Sequence, residues 1–139
     1  MFEVIKGVFG FFKKEGGVRV LPQGFFIEYV SGPSLGCDYY EARAFFDGVL
    51  VAESHGHIFP ECELRVTKIL VYADYRRKGF GRKLCSRFVE EAEAAGCKSL
   101  IFEGVDLNNA EAVNLYKSLG ACPGKSKTYP SKKDFSLLL

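Results

Sequence analysis

Arg76-Arg77-Lys78-Gly79-Phe80-Gly81 is the stretch of this chain best equipped for chemistry. Its two glycines let the backbone turn sharply and approach a ligand with no Cβ in the way. Unpaired amides at a helix N-terminus attract anions, and the helix dipole adds to that attraction. Arg82, Lys83 and Arg87 extend the positive charge, and no acidic residue interrupts positions 76–87. Together these features describe a cradle for phosphate groups. Neither common nucleotide motif accounts for it. A Walker A loop requires Gly-x-x-x-x-Gly-Lys-Ser/Thr, which is absent, and a dinucleotide fingerprint requires a third glycine where Leu84 stands. A solvated helix face is the plainer reading of a basic run, and the glycines argue against it.

The elements that must hold this cradle are legible from periodicity. Glu63 to Tyr72 reads as a strand, and Phe80, Leu84, Phe88, Val89, Ala92 and Ala95 recur at helical spacing from Gly79 to the stop at Gly96. Ser99 to Phe102 is a further strand, and Asn109 to Leu119 a second helix that ends at Gly120. Upstream, Phe25 to Val30 reads as a strand closed by Ser31-Gly32-Pro33. Tyr40 to Phe46 and Val49 to Ser54 are β-rich runs joined by Asp47-Gly48, a pair suited to tight hairpins. His55 to Pro60 reads as a loop, and the tail supplies strands at Lys125 to Tyr129 and Phe135 to Leu139. Phe2, Ile5, Phe9 and Phe12 fit a short helix ending at Gly16-Gly17, with a strand as the alternative because Gly7 and Gly10 interrupt it. The expected fold class is α/β, a mixed, mostly antiparallel sheet of six to seven strands flanked by helices. A parallel crossover lies within 68–102.

Composition narrows the function classes. The 139 residues fit one domain spanning 1–139, with 47% hydrophobic and 26% charged side chains, as in ordinary globular proteins. No apolar run reaches the roughly 18–20 residues of a membrane helix, and the N-terminus carries no cleavable signal pattern. Five widely spaced cysteines (Cys37, Cys62, Cys85, Cys97, Cys122) with only two histidines leave no metal site and no disulfide framework. Free thiols fit a reducing, cytoplasmic setting. The net charge is only +2, yet residues 61–139 hold fourteen basic and ten acidic side chains. Nucleic acid is a poor match for that excess, because no aromatic platform flanks the basic cluster and its glycines suit no groove-reading helix.

The residues around the cradle resemble the GCN5-related N-acetyltransferase (GNAT) family. That family's pyrophosphate signature, Gln/Arg-x-x-Gly-x-Gly/Ala after an apolar strand, matches Arg76 to Gly81 following Ile69-Leu70-Val71. A second family signature appears as Asn109, Ala112, Leu115, Tyr116, Leu119 and Gly120. Two motifs in the right order are specific where one would be weak. The resemblance covers 63–121, the acetyl-CoA-binding core. It leaves 1–40 as a variable, acceptor-side segment.

The resemblance implies acetyl-CoA as co-substrate and no metal. Backbone amides over Arg76, Arg77, Lys78, Gly79, Phe80, Gly81 and Arg82 would hold the pyrophosphate. Leu70 and Val71 would splay from the strand at Leu100–Phe102 to admit the pantetheine arm. An amide near Val71 would polarise the thioester carbonyl. Tyr116 sits where family members place the acid for the departing thiolate, or else only packs its helix. Asn109 is a cofactor contact, a helix N-cap, or both. Relatives place a base at the position of Arg65 or of Thr67, neither of which is one. Glu63, on the same strand face, is the preferred base, ahead of His55 and beside a water relay. Arg65 would hold an anionic group of the acceptor or pair with Glu63 or Glu53. The implied function is direct acetyl transfer to a primary amine of a small molecule or protein. An acyl-CoA-binding module without transfer activity is the alternative. Phe2, Phe9, Phe11, Phe12, Phe25 and Phe26 serve either the core or the interface of a homodimer.

Overall fold

The computed structural model describes residues 4–7, 13–15, 18–20 and 23–139, the first three groups as backbone only. The strands are β1 (Val4–Gly7), β2 (Lys13–Glu15), β3 (Val18–Val20), β4 (Phe25–Ser34), β5 (Cys37–Phe46), β6 (Val49–Phe59), β7 (Glu63–Val71), β8 (Ser99–Val105), β9 (Cys122–Lys125) and β10 (Lys133–Leu138). The helices of the described residues are α1 (Phe80–Ala94) and α2 (Ala110–Ser118), and a 3-10 turn occupies Ala73–Tyr75. Eight strands form one sheet in the order β1-β4-β5-β6-β7-β8-β10-β9, while β2 and β3 pair separately. Only β7 and β8 run parallel among the described strands. The mixed, mostly antiparallel sheet with helices is therefore present, and the short edge strand β1 raises its count to eight.

Local chemistry accounts for most boundaries. Asp47 and Gly48 both take positive φ, 48° and 80°, as the tightest hairpin turns require. Helix α1 starts at Gly79 in the left-handed region, and α2 starts at Asn109, whose side chain accepts the Ala112 amide at 3.2 Å. Phe88 of α1 packs on Tyr40, and Tyr116 of α2 stacks on Phe102 at 4.0 Å. Both helices thus cover the sheet face made by Tyr40, Leu64, Val66 and Phe102. Leu64, Leu84, Cys85, Phe88 and Leu100 are fully buried there. No helix of the described residues is long and apolar enough to cross a membrane.

Four expectations change. The segment Val4–Gly7 is a strand paired with β4, as the alternative had it, and Lys13–Glu15 is strand β2 paired with β3; the rest of the helical expectation up to Gly16-Gly17 lies outside the described residues. Strand β4 continues through Ser31-Gly32-Pro33 to Ser34, paired with β5 at every residue. His55 to Phe59 belongs to β6 and not to a loop. Gly56 is there for close approach: a Cβ would sit 1.9 Å from the Arg65 carbonyl oxygen. The pairing slips at that point and leaves Thr67 of β7 as a bulge. In the tail the strand is Cys122–Lys125, an edge strand where Pro123 is tolerated, and the expected strand from Lys125 to Tyr129 is not formed: 126–129 lie outside any strand.

Candidate active site

Strands β7 and β8 share four rungs, from Glu63↔Ser99 to Val66↔Phe102, and then part. Past Val66, β7 has no strand partner on that side. The parting begins beyond Phe102, so Leu100–Phe102 forms the closed end of the gap and not its wall. Opposite the free half of β7 lies α2, and the turn before α1 closes the top. These elements enclose a cleft of about 770 Å³. Its walls include Leu70, Val71, Arg76, Arg77, Gly79, Phe80, Gly81, Arg82, Asn109 and Tyr116.

The turn holds its shape through particular contacts. Phe80, the first residue of α1, is buried between Phe25 (centroids 5.5 Å, stacked), Phe46 (5.4 Å) and Tyr75 (6.4 Å). That grip fixes the helix N-terminus over the sheet. Among the described residues no side chain caps the helix, and no acid lies in its first turn, so its leading amides meet no capping group there. Open space lies where a Gly79 Cβ would be, at φ 85°. Gly81 packs closely, with its missing Cβ 3.4 Å from Leu115 and 3.6 Å from Val71. Arg77 adopts φ 62°, strained for a non-glycine residue. Arg76 donates from Nε to the Val71 carbonyl at 3.1 Å, and Arg82 to Ser118 at 2.6 Å. An uncapped helix start, two glycines and three arginines fit the phosphates of a CoA-type ligand.

Tyr116 lines the same cleft while its ring is buried against Phe102 and Phe135. Burial, with Cys85 nearby, lifts its phenol above the ordinary tyrosine range. The phenol is therefore protonated at neutral pH, and burial makes it a weaker acid than an exposed tyrosine. Asn109 both caps α2 and lines the cleft, so its two readings coexist.

Two expected site residues lie elsewhere. Lys78 is exposed and sits over the Tyr75 ring, 5.7 Å from its centroid. Glu63 lies at the closed end of β7, where its carboxylate accepts from Arg65 Nη1 at 2.7 Å. Strand alternation puts both on one face, and the guanidinium takes the carboxylate. His55 is exposed between Glu41 and Lys68 on neighbouring strands. Glu103 and Asp134 are also bonded to Arg65; they are separated from it by 38 and 69 positions, and no local sequence pattern marks them.

The family model described as Acetyltransferase (GNAT) family matches residues 11–121. The chain belongs to the GNAT family. Among curated relatives, the L-methionine sulfoximine/L-methionine sulfone acetyltransferase of Salmonella typhimurium is 33% identical over 95 residues, 59% of this chain and 55% of that protein. The ribosomal protein bS18-alanine N-acetyltransferase of Escherichia coli is 41% identical over 58 residues, 42% of this chain and 38% of that one. The matches thus span about half or less of these relatives' length. The crystal structure of the E. coli S18-alanine enzyme superposes with a TM-score of 0.61 at 28% identity, covering 72% of this chain and 68% of the other. A Thermoplasma acidophilum N-acetyltransferase in complex with coenzyme A gives a TM-score of 0.64 at 15% identity over 73% and 61% of the chains, a likeness of fold.

Proposed function

We propose that this GNAT chain transfers an acetyl group from acetyl-CoA to a primary amine of a protein or small molecule. The reading rests on one juxtaposition: the uncapped, arginine-flanked start of α1 and the Tyr116 phenol open into one cleft beside the half of β7 that no longer pairs with β8. A relative named as a ribosomal-protein alanine N-acetyltransferase, and one named for acetylating the amino-acid derivatives L-methionine sulfoximine and L-methionine sulfone, support an amine as the second substrate.

The chain's own groups then divide the work. The turn from Arg76 to Arg82 holds the pyrophosphate through backbone amides and counter-charge. The free half of β7 aligns the thioester, with an amide near Val71 polarising its carbonyl. The acceptor nitrogen bonds to the acyl carbon, the carbon–sulfur bond breaks, the Tyr116 hydroxyl protonates the departing sulfur, and the proton that the new amide nitrogen loses returns through water to the Tyr116 oxygen. With Glu63 held by Arg65, the proton of the acceptor ammonium leaves through water. No cysteine nucleophile is required.

Release of free CoA from acetyl-CoA, followed across a panel of primary amines, tests this reading. At least one amine is expected to support turnover. Tyr116→Phe should lower kcat at least about 100-fold, the scale of a lost general acid, with CoA affinity held within about twofold. CoA binding with no turnover on any amine would make the chain a binding module. Equal losses of kcat and CoA affinity in Tyr116→Phe would remove the acid role.

A further inference from the structure

Arg65 is buried on the sheet face away from the helices, since its neighbours Leu64 and Val66 point into the core. All three of its donor groups meet carboxylates: Nε to Glu103 at 2.7 Å, Nη1 to Glu63 at 2.7 Å and Nη2 to Asp134 at 2.8 Å. The guanidinium therefore ties β7, β8 and β10 together. Its height in the sheet is the telling feature. Arg65 is opposite Ile101, one rung before the last that β7 and β8 share, and Glu103 is the first residue of β8 beyond that rung.

The irregularities of β8 and β10 meet at the same place. Asp134 lies where the β10 register shifts between Lys133 and Phe135. Its second oxygen accepts the Gly104 amide at 2.9 Å. Gly104 turns through φ 63°, and Tyr129 packs where a Cβ would be, 2.5 Å from that position. Thus the bend by which β8 leaves β7 is held by Asp134, and Asp134 is held by Arg65. A buried ion cluster is a poor source of stability, because desolvation offsets most of its attraction. Directional bonds to three strands are a good source of fixed geometry.

We propose that Arg65 is a positioning residue for acyl transfer: its guanidinium sets the angle at which β8 leaves β7, and so where the acyl group meets β7. This inference rests on the transferase reading. The pyrophosphate turn is built from other residues and should be indifferent to the change. Misplacement of reacting groups by about 1 Å can cost on the order of 100-fold in rate.

Arg65→Lys retains the charge but gathers its donors on one nitrogen, so it cannot reach three carboxylates placed around the three nitrogens of a planar guanidinium. Steady-state kinetics and thermal unfolding with CoA or acetyl-CoA would be compared with the wild type. The expected result is a kcat lowered at least about tenfold, KM for acetyl-CoA within about threefold, and an unchanged thermal shift from CoA. The extra shift of acetyl-CoA over CoA should shrink. Asp134→Asn keeps an oxygen for Gly104 but gives up the charge facing Arg65, and should lower kcat less in the same pattern. It decides the matter if Arg65→Lys does not fold. Folded variants with kcat within about twofold of wild type, or with kcat and CoA affinity falling together, would overturn the inference. Wild-type protein without turnover on any amine would overturn the transferase reading and the inference with it.

Discussion

Strands β7 and β8 contain two regions of opposite character within a few residues. Below Val66 the pair is closed: Leu64, Val66, Leu100 and Phe102 are buried, and Arg65 is saturated by three carboxylates. Above Val66 the ladder is given up, and Leu70 and Val71 face a cleft with the start of α1 and with Tyr116. In the closed half each nitrogen of the buried Arg65 donates to a carboxylate. The open half leaves the helix-start amides without a capping group among the described residues. The difference teaches that one parallel pair can supply both the anchor and the site, provided something fixes the point of parting. Here that point carries a bulge at Thr67, a left-handed glycine at Gly104 and a register shift at Asp134.

The comparison can be broken from either side. In the open half, Gly79→Glu adds a side chain at φ 85° and a carboxylate where phosphate would lie. It should abolish acetyl-CoA binding, read as loss of the ligand-induced rise in unfolding temperature, while the apo protein stays folded. Unchanged binding would remove the turn from the site. In the closed half, Leu64→Ala leaves a cavity in a fully buried position. It should cost about 2–5 kcal/mol in denaturant unfolding, and a loss below about 1 kcal/mol would mean that this half is not the anchor.

Alkali probes the buried acids that both halves share. Burial pushes the Cys85 thiol up to about 12 and lifts Tyr116 above its ordinary range. The folded state keeps these protons while the unfolded chain releases them at ordinary values near 9–10, so stability is full below that range and falls as pH rises through it. Unfolding free energy should decline steadily above about pH 9, and less steeply in a Cys85→Ala variant. A flat profile to pH 11 would contradict this burial. The smallest effect belongs to Asn109→Ala, which removes the α2 cap and should cost about 1 kcal/mol by the same denaturant measurement.

Much of this was readable because the chemistry is local. The turn at Arg76–Gly81, the cap at Asn109 and the helix position of Tyr116 depend on neighbours a few residues away, and all reach the cleft except Lys78. Gly56 misled because glycine in a β-rich run signals either a turn or a close approach, and only the partner strand decides which. Arg65 was legible as a charge on a buried strand, but two of its partners come from distant strands. Glu63 followed correctly as its neighbour, and that pairing takes it from the cleft.

The most direct test of the central claim is thermal unfolding of the chain with acetyl-CoA, CoA and ATP in turn. At about a hundredfold excess over the dissociation constant, binding adds about 2.7 kcal/mol, a rise of several degrees. The account predicts that rise with both CoA forms and none with ATP. No rise with either CoA form would leave the glycine turn a structural corner and contradict the acetyl-CoA site.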